Sequence, residues 1–244
     1  MGRPVEGRRN GPTTVLGMPE RPIALVTGAS RGIGAAVARS LADTHDLLLG
    51  GRDTTALEKV TADIPGARPW PVELTDHESV AAAVAEIDRL DVLVHSAGLV
   101  ELAPVADAPP DSWRRTFELN LFAVTELTRL LLPALRAAKG HVVLVNSGAG
   151  LSAKPNWGSY AASKFALRAF ADVLRAEEAA SGVRVTSVFP GRTATEMQRG
   201  VRAAEGGEFE PENYLRPESV AEPIVSAVRS SRDAHMTELV IRPA

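Results

Sequence analysis

The chain contains no cysteine. That excludes disulfides, thiolate zinc sites and a cysteine nucleophile, and it makes a reducing cytoplasm tolerable, which is the location expected. Neither sign of charge is in excess: 27 Lys and Arg stand against 30 Asp and Glu, a net charge of −3. Nothing in the global electrostatics therefore recruits nucleic acid or anionic lipid, and neither is expected as a partner. No run approaches the roughly 18 consecutive apolar residues that a transmembrane helix needs, and internal repeats and low-complexity blocks are missing as well. At 45% apolar and 23% charged residues, with a mean hydropathy of −0.02, the composition is that of a globular protein, not of a disordered or collagen-like one. A length of 244 residues fits one large α/β domain and not two full catalytic domains.

Residues 1–19 differ from the rest, because seven of the nineteen are Gly or Pro and three are arginine; a disordered tail is expected there. The pair Arg8-Arg9 suggests a twin-arginine signal, but Asn10-Gly11-Pro12-Thr13-Thr14 stands where a continuous apolar stretch should follow. Residues 20–244 are read as a single domain. From Ile23 onward, short β-branched runs alternate with longer helix-like stretches, the pattern of a parallel sheet covered on both faces. Strands are predicted at 23–27, 46–50, 68–73, 91–96, 141–146, 184–189 and 237–242. The fold class is thus α/β, a Rossmann-like doubly wound parallel sheet of about seven strands. Thr75-x-x-Glu78 reads as a capping box ahead of Val80, Val84 and Ile87. The segment 111–138 is apolar around much of its circumference, which suggests burial on two sides. Pro223, inside the last helical pattern, should kink or delay that helix.

The first strand runs into Thr27-Gly28-Ala29-Ser30-Arg31-Gly32-Ile33-Gly34 and an Ala-rich helix. Glycines there let the backbone approach a phosphate and adopt positive φ, while the N–H groups and dipole of the helix start face negative charge. The spacing is Gly-x3-Gly-x-Gly, not the Gly-x-Gly-x-x-Gly of the general fingerprint, and an unliganded glycine-rich turn is the plain alternative. The second strand ends at Leu49-Gly50-Gly51-Arg52-Asp53, where a carboxylate would bind an adenosine ribose 2′-hydroxyl. Gly51 offers none. Arg52, with Arg31, can instead pair with a 2′-phosphate, which favours NADP(H) over NAD(H), unless both are simply solvated surface charges. Asp53 is the rival ribose ligand if the strand ends two residues later.

Tyr160 and Lys164 lie one helical turn apart on the same face. A tyrosine of pKa about 10 is a poor base at neutral pH. An ammonium about 4 Å away contributes up to about 4 kcal/mol at an effective dielectric of about 20, enough to lower that pKa by roughly three units before desolvation opposes it. Tyr-x3-Lys alone is a weak signal, because such pairs are commonly structural. Ser147 stands 13 residues earlier, at the end of a strand where open α/β sheets bind ligands. Asn120, 27 residues before Ser147, interrupts an apolar helix, where a carboxamide needs partners.

With these residues in place the chain resembles the classical short-chain dehydrogenase/reductase family over 23–243. Thr27-Gly-x3-Gly-x-Gly34, Asn120, Ser147, Tyr160-x3-Lys164 and Pro190-Gly191-x3-Thr195 stand in family order and spacing. The resemblance implies that Tyr160 is the general acid/base, that Lys164 lowers its pKa and holds the nicotinamide ribose, that Ser147 orients the substrate carbonyl, and that Asn120 anchors a proton-relay water beside Lys164. It also implies a cofactor path along Gly28, Ser30, Arg31, Gly32, Ile33, Gly34, Arg52, Glu73, Leu74, Ser96, Ala97, Gly98, Tyr160, Lys164, Pro190, Gly191, Thr193 and Thr195, with no metal. Two departures from the family pattern stand out. His95-Ser96-Ala97-Gly98 replaces Asn-Asn-Ala-Gly, so other bonds must pin the sheet there, and His95 is read as a packing residue. Glu73 replaces an aspartate near the adenine.

On the substrate side, 192–216 lacks periodicity and reads as a mobile loop or short helices over the active site. Its five glutamates and four arginines nearly cancel, so no basic cluster awaits a coenzyme A or carrier phosphate. Trp157, assigned with Ser147 and Tyr160 to substrate contact, forms an apolar pocket with Met197, Phe209 and Tyr214, or else these side chains fasten the loop. The expected activity is NADP(H)-dependent interconversion of a small-molecule carbonyl and its alcohol. A non-catalytic dinucleotide-binding redox sensor or interaction protein is the alternative, and the enoyl reductases are disfavoured because they usually space Tyr and Lys more widely. Apolar helices at 111–138 and 157–180 predict a homodimer or homotetramer, with Leu127 and Phe170 as trial positions for an introduced charge.

Overall fold

The structure, a computed structural model, describes residues 21–244; the tail expected over 1–19 lies outside the described residues. Seven parallel strands form one sheet in the order β3-β2-β1-β4-β5-β6-β7. They are β1 (Ile23–Thr27), β2 (Asp46–Gly51), β3 (Ala67–Pro71), β4 (Val92–His95), β5 (His141–Val145), β6 (Arg184–Pro190) and β7 (Glu238–Ile241). The chain winds outward from β1 through β2 to β3, then crosses back to lay β4 on the other side of β1, in register Ala24 with Val92 and Val26 with Val94. Strand order reverses between β1 and β4. Connections leave in opposite directions at such a point, so a crevice opens beyond the carboxyl ends of the two strands.

Side chains alternate along each strand, and the two faces feed two cores. Ala24, Val26, Val92, Val94, Val143 and Val145 face one core, which is closed by helices α1 (Gly32–Leu41), α2 (Thr54–Ala62) and α8 (Pro217–Arg229). Leu25, Leu93, Val142 and Leu144 face the other, closed by α3 (His77–Val84), α5 (Ala123–Ala138) and α6 (Gly158–Glu177). A strand buried on both faces has no polar alternation, which is why these strands read as unbroken apolar runs.

Several local expectations are corrected. The cap of α3 is Asp76, whose carboxylate accepts from Ser79 N at 3.2 Å and Ser79 Oγ at 2.6 Å, while Thr75 is taken up by Glu73 at 3.1 Å through its hydroxyl. Helix α8 starts at Pro217 and continues through Pro223, as α5 does through Pro133; each proline removes one backbone hydrogen bond without delaying or ending its helix. The predicted long helix is α4 (Pro110–Phe117) joined to α5 by a π-turn at Glu118–Phe122. Leu127 is fully buried, and Phe170 packs against the same core. The outward apolar groups are instead Phe122, Phe165 (44% exposed) and Val173 (54%). Most of the apolar excess of these two helices is therefore absorbed by the sheet.

Candidate active site

The glycine turn between β1 and α1 is closed too tightly for side chains. Gly28 has φ +64°, and a Cβ there would fall 2.8 Å from the backbone of Ala97. One on Gly34 would meet the Gly28 carbonyl oxygen at 2.4 Å, so Gly34 serves the turn itself. Thr27 locks the neighbouring strand end: its hydroxyl accepts from Ser96 N at 3.1 Å and Ala97 N at 3.2 Å. These bonds pin the end of β4 to the end of β1. Helix α1 then begins with no side-chain cap and no acidic residue in its first turn. Its terminal N–H groups and positive dipole end remain available to an anion.

A cavity of about 650 Å³ opens at this point. Gly28, Ser30, Arg31, Gly32 and Ile33 line one end with Arg52, Glu73 and Leu74; Ser96, Ala97 and Gly98 form its middle; Ser147, Trp157, Tyr160, Lys164, Pro190, Gly191, Thr193 and Thr195 surround the other end. Of the predicted site residues, Gly34 and Asn120 stand behind this wall. The side-chain-free cradle, the open helix start and the two arginines at one end fit a nicotinamide dinucleotide. No group of three His, Cys, Asp or Glu among the described residues has a metal-binding arrangement.

At the arginine end, Arg52 is 81% exposed and lies 3.6 Å from Glu73. Such an exposed pair is worth at most about 1 kcal/mol, so a dianionic phosphate can outcompete the carboxylate. Asp53 is not among the residues lining the cavity; it caps α2 by accepting from Ala56 N at 3.0 Å.

At the opposite end, Tyr160 sits in the first turn of α6 and Lys164 one turn on, both buried. The Lys164 ammonium lies 5.8 Å from the Tyr160 ring centroid and donates to the Val145 carbonyl at 3.1 Å. Burial pushes the Tyr160 phenol above its ordinary pKa, and the hydrogen bond from Ser147 only partly offsets this. Burial also lowers the Lys164 ammonium to about 8. In the protein alone, desolvation is the largest influence on the phenol.

Asn146, overlooked in the sequence, holds this group together. Its carboxamide donates to the Lys164 carbonyl at 3.0 Å and accepts from Ser147 N at 2.8 Å. The available signal was a polar residue closing an otherwise apolar strand. Asn120, central in the π-turn, accepts from Leu99 N and donates to Leu99 O, both at 2.9 Å, and donates to Ser163 Oγ at 3.1 Å. The Ser163 hydroxyl in turn donates to the Tyr160 carbonyl at 2.8 Å. His95 is buried against Thr128 at 2.9 Å, and burial drives its pKa to about 3, so it is neutral at working pH and turned away from the cavity.

Of the two forms expected for 192–216, the segment takes that of short helices. It carries helix α7 (Glu196–Ala204) and a short 3₁₀ turn at Pro211–Asn213, and Arg192 and Arg202 both pair with Glu205. Phe209 and Tyr214 stack at 5.6 Å, with Arg199 over Phe209; they fasten the loop. Trp157 and Met197 line the cavity, and Trp157 meets the Tyr160 ring edge-on at 5.7 Å. Leu99, Val100, Leu102 and Leu119 complete an apolar wall that no sequence motif announces.

A family model described as short chain dehydrogenase matches residues 22–206. The glycine betaine reductase ATRR of Emericella nidulans is 37% identical over 235 residues, covering 91% of this chain and 18% of that protein. An uncharacterized short-chain type dehydrogenase/reductase of Sinorhizobium fredii is 33% identical over 227 residues, with 91% of each chain covered. Among solved structures, an alcohol dehydrogenase from the archaeon Thermococcus sibiricus, complexed with 5-hydroxy-NADP, superposes with a TM-score of 0.82 at 27% identity, over 91% of this chain and 96% of that one.

Proposed function

The chain belongs to the short-chain dehydrogenase/reductase family, and on that premise we propose that it is an NADP(H)-dependent oxidoreductase acting on a small carbonyl compound or the corresponding secondary alcohol. The observation that carries this reading is that Ser147, Tyr160 and Lys164 line the same cavity as the uncapped start of α1. When bound, the nicotinamide supplies hydride exchange with the carbonyl carbon. Tyr160 holds the proton that the carbonyl oxygen gains or the alcohol loses, at its phenolic oxygen. Ser147 donates a hydrogen bond to that same substrate oxygen. Lys164, charged below pH about 8, favours the ionised tyrosine once its ammonium turns toward the site. Asn120 acts from behind the wall, through Leu99 and Ser163, and the relay water assigned to it would sit beside Lys164. Trp157, Met197 and the leucine wall favour an apolar substrate body.

Preference for NADP(H) is supported by Arg52 and Arg31 at the adenosine end and by the NADP derivative in the Thermococcus enzyme. A complete proton-transfer set argues against the non-catalytic sensor. Residues 20–244 are proposed to act as one catalytic domain in the cytoplasm, as a homodimer or homotetramer joined partly through Phe122, Phe165 and Val173; among the described residues no helix is long and apolar enough to cross a membrane. The deciding experiment is NADPH oxidation across a panel of ketones, aldehydes and quinones. Turnover of an apolar ketone is expected, and binding of NADPH with no turnover on any of them would favour the sensor.

A further inference from the structure

Four buried side-chain atoms among the described residues have no hydrogen-bond partner: His141 Nδ1, Arg184 Nε, Ser187 Oγ and Gln198 Nε2. The first three belong to β5 and β6 away from the cavity, whereas Gln198 borders it. A buried amide donor with no acceptor costs free energy in the free protein, and such a group is usually explained by a partner that arrives later. Gln198 is only 6% exposed, so bulk water does not fill that role.

The position of α7 indicates what the partner is. Gln198 is the third residue of this helix, and its backbone N–H donates to Oγ1 of Thr195, the cap, at 3.2 Å. The γ-methyl of that same Thr195 lies 3.2 Å from where a Cβ on Gly32 would stand, and Gly32 is the first residue of α1. The first turns of α1 and α7 therefore abut, and both line the cavity with their N-terminal ends. The uncapped start of α1 and an orphaned N–H donor beside it call for an acceptor rich in negative charge. The one acid on this turn that lines the cavity, Glu196, is largely exposed and lies 3.5 Å from Arg199. The substrate oxygen has its own donors in Ser147 and Tyr160.

We propose that Gln198 is a cofactor-contacting residue whose amide turns on cofactor binding so that Nε2 donates to a diphosphate oxygen of the dinucleotide, seating α7 over the substrate end of the cavity. The inference rests on the dinucleotide reading above and adds to it a residue of the substrate-side helix.

The test uses Gln198→Met, close in shape but without the donor, and Gln198→Glu, with thermal unfolding of the free protein and calorimetric titration of NADPH and of adenosine 2′-phosphate, which lacks the diphosphate. Removing an orphaned donor should leave the melting temperature of Gln198→Met equal to or above wild type, while NADPH affinity falls about tenfold and adenosine 2′-phosphate affinity is unchanged. Gln198→Glu should lose more NADPH affinity, through repulsion. A purely structural glutamine would lower stability and both affinities together. NADPH affinity unchanged in both variants, an equal loss for the two ligands, or a change confined to the KM of the ketone would overturn this assignment alone. Wild-type protein that binds neither NADPH nor NADH would overturn the dinucleotide reading and this one with it.

Discussion

Asn120 and Leu99 bond to each other as neighbouring strands do: the carboxamide accepts the Leu99 N–H and donates to the Leu99 carbonyl, each at 2.9 Å. One side chain thereby satisfies both polar groups of a residue in the cavity wall. Asn120→Leu should cost ~2–4 kcal/mol, since it strands a buried donor and acceptor, and should speed amide exchange around Leu99 in the cofactor-free protein. Protection at Leu99 equal to wild type would contradict this.

Tyr160→Phe should remove most turnover and leave NADPH affinity nearly unchanged, because it deletes the proton donor and little packing. The phenol has lost its water and lies against Trp157 at 5.7 Å between ring centres, contacts that phenylalanine retains. A kcat near wild type in steady-state assays would remove Tyr160 from the chemistry.

Arg52→Ala should weaken NADPH by about tenfold or more and NADH hardly at all, as only the former presents a 2′-phosphate to a guanidinium. Its present partner, Glu73 at 3.6 Å, would then carry an unopposed carboxylate, which adds to the NADPH loss. Equal losses in titrations with the two cofactors would show that Arg52 does not read the phosphate.

Lys164→Met should stabilise the cofactor-free protein at pH 6.5. The ammonium is held at a pKa of about 8 against an ordinary 10.5, so between those values the unfolded chain binds more protons than the folded one and wild-type stability rises with pH relative to the variant. Below pH 8 the full penalty applies. At about 1.36 kcal/mol per unit, less the lost bond to the Val145 carbonyl, the variant should lead by ~2 kcal/mol at pH 6.5 and lose that lead by pH 10. Urea unfolding at the two pH values measures it, and a gap independent of pH would contradict the buried ammonium.

Phe165→Glu together with Val173→Glu should dissociate the assembly without unfolding the subunit, because both side chains already face outward. Leu127→Glu, by contrast, should unfold it, since that leucine is fully buried. Light scattering of the double variant checks this. An unaltered oligomer would place the interface elsewhere, and a stable wild-type monomer at micromolar concentration would refute assembly altogether.

Much of the frame was legible because its central strands are buried on both faces: Ile23–Val26, Val92–Val94 and Val142–Val145 announce themselves as unbroken apolar runs. The site motifs were legible because they are local in sequence, such as the glycine turn and the pair Tyr160 and Lys164. What depends on environment was not. Burial raises the Tyr160 phenol, and no spacing rule reports burial. Thr75 and Asp76 are both capping residues, and the choice between them was made by Glu73, which holds the Thr75 hydroxyl. Leu127 and Phe165 lie on helices apolar on several sides, so their inward and outward faces could not be told apart. Gln198 stands outside any motif, and only its missing partner marks it.

Along the segment that carries Asn120, the buried residues Ser112, Thr116, Asn120, Val124 and Thr128 recur every fourth position. On an ideal α-helix of 3.6 residues per turn, each such step drifts about 40° around the axis, and four of them would carry the seam toward the far side. The π-turn at Glu118–Phe122 fits more residues into one turn and cancels much of that drift. A single-residue insertion outside that turn is therefore a rotation. Inserting one residue within Ala123–Ala138 would swing Pro110–Phe122 by about 100° relative to the rest of that helix, aiming the Asn120 carboxamide away from Leu99, whereas deleting Leu121 would remove the π-turn and leave the two flanks near their present orientation. The segment behaves as a gear whose tooth count, more than its chemistry, sets where that side chain points.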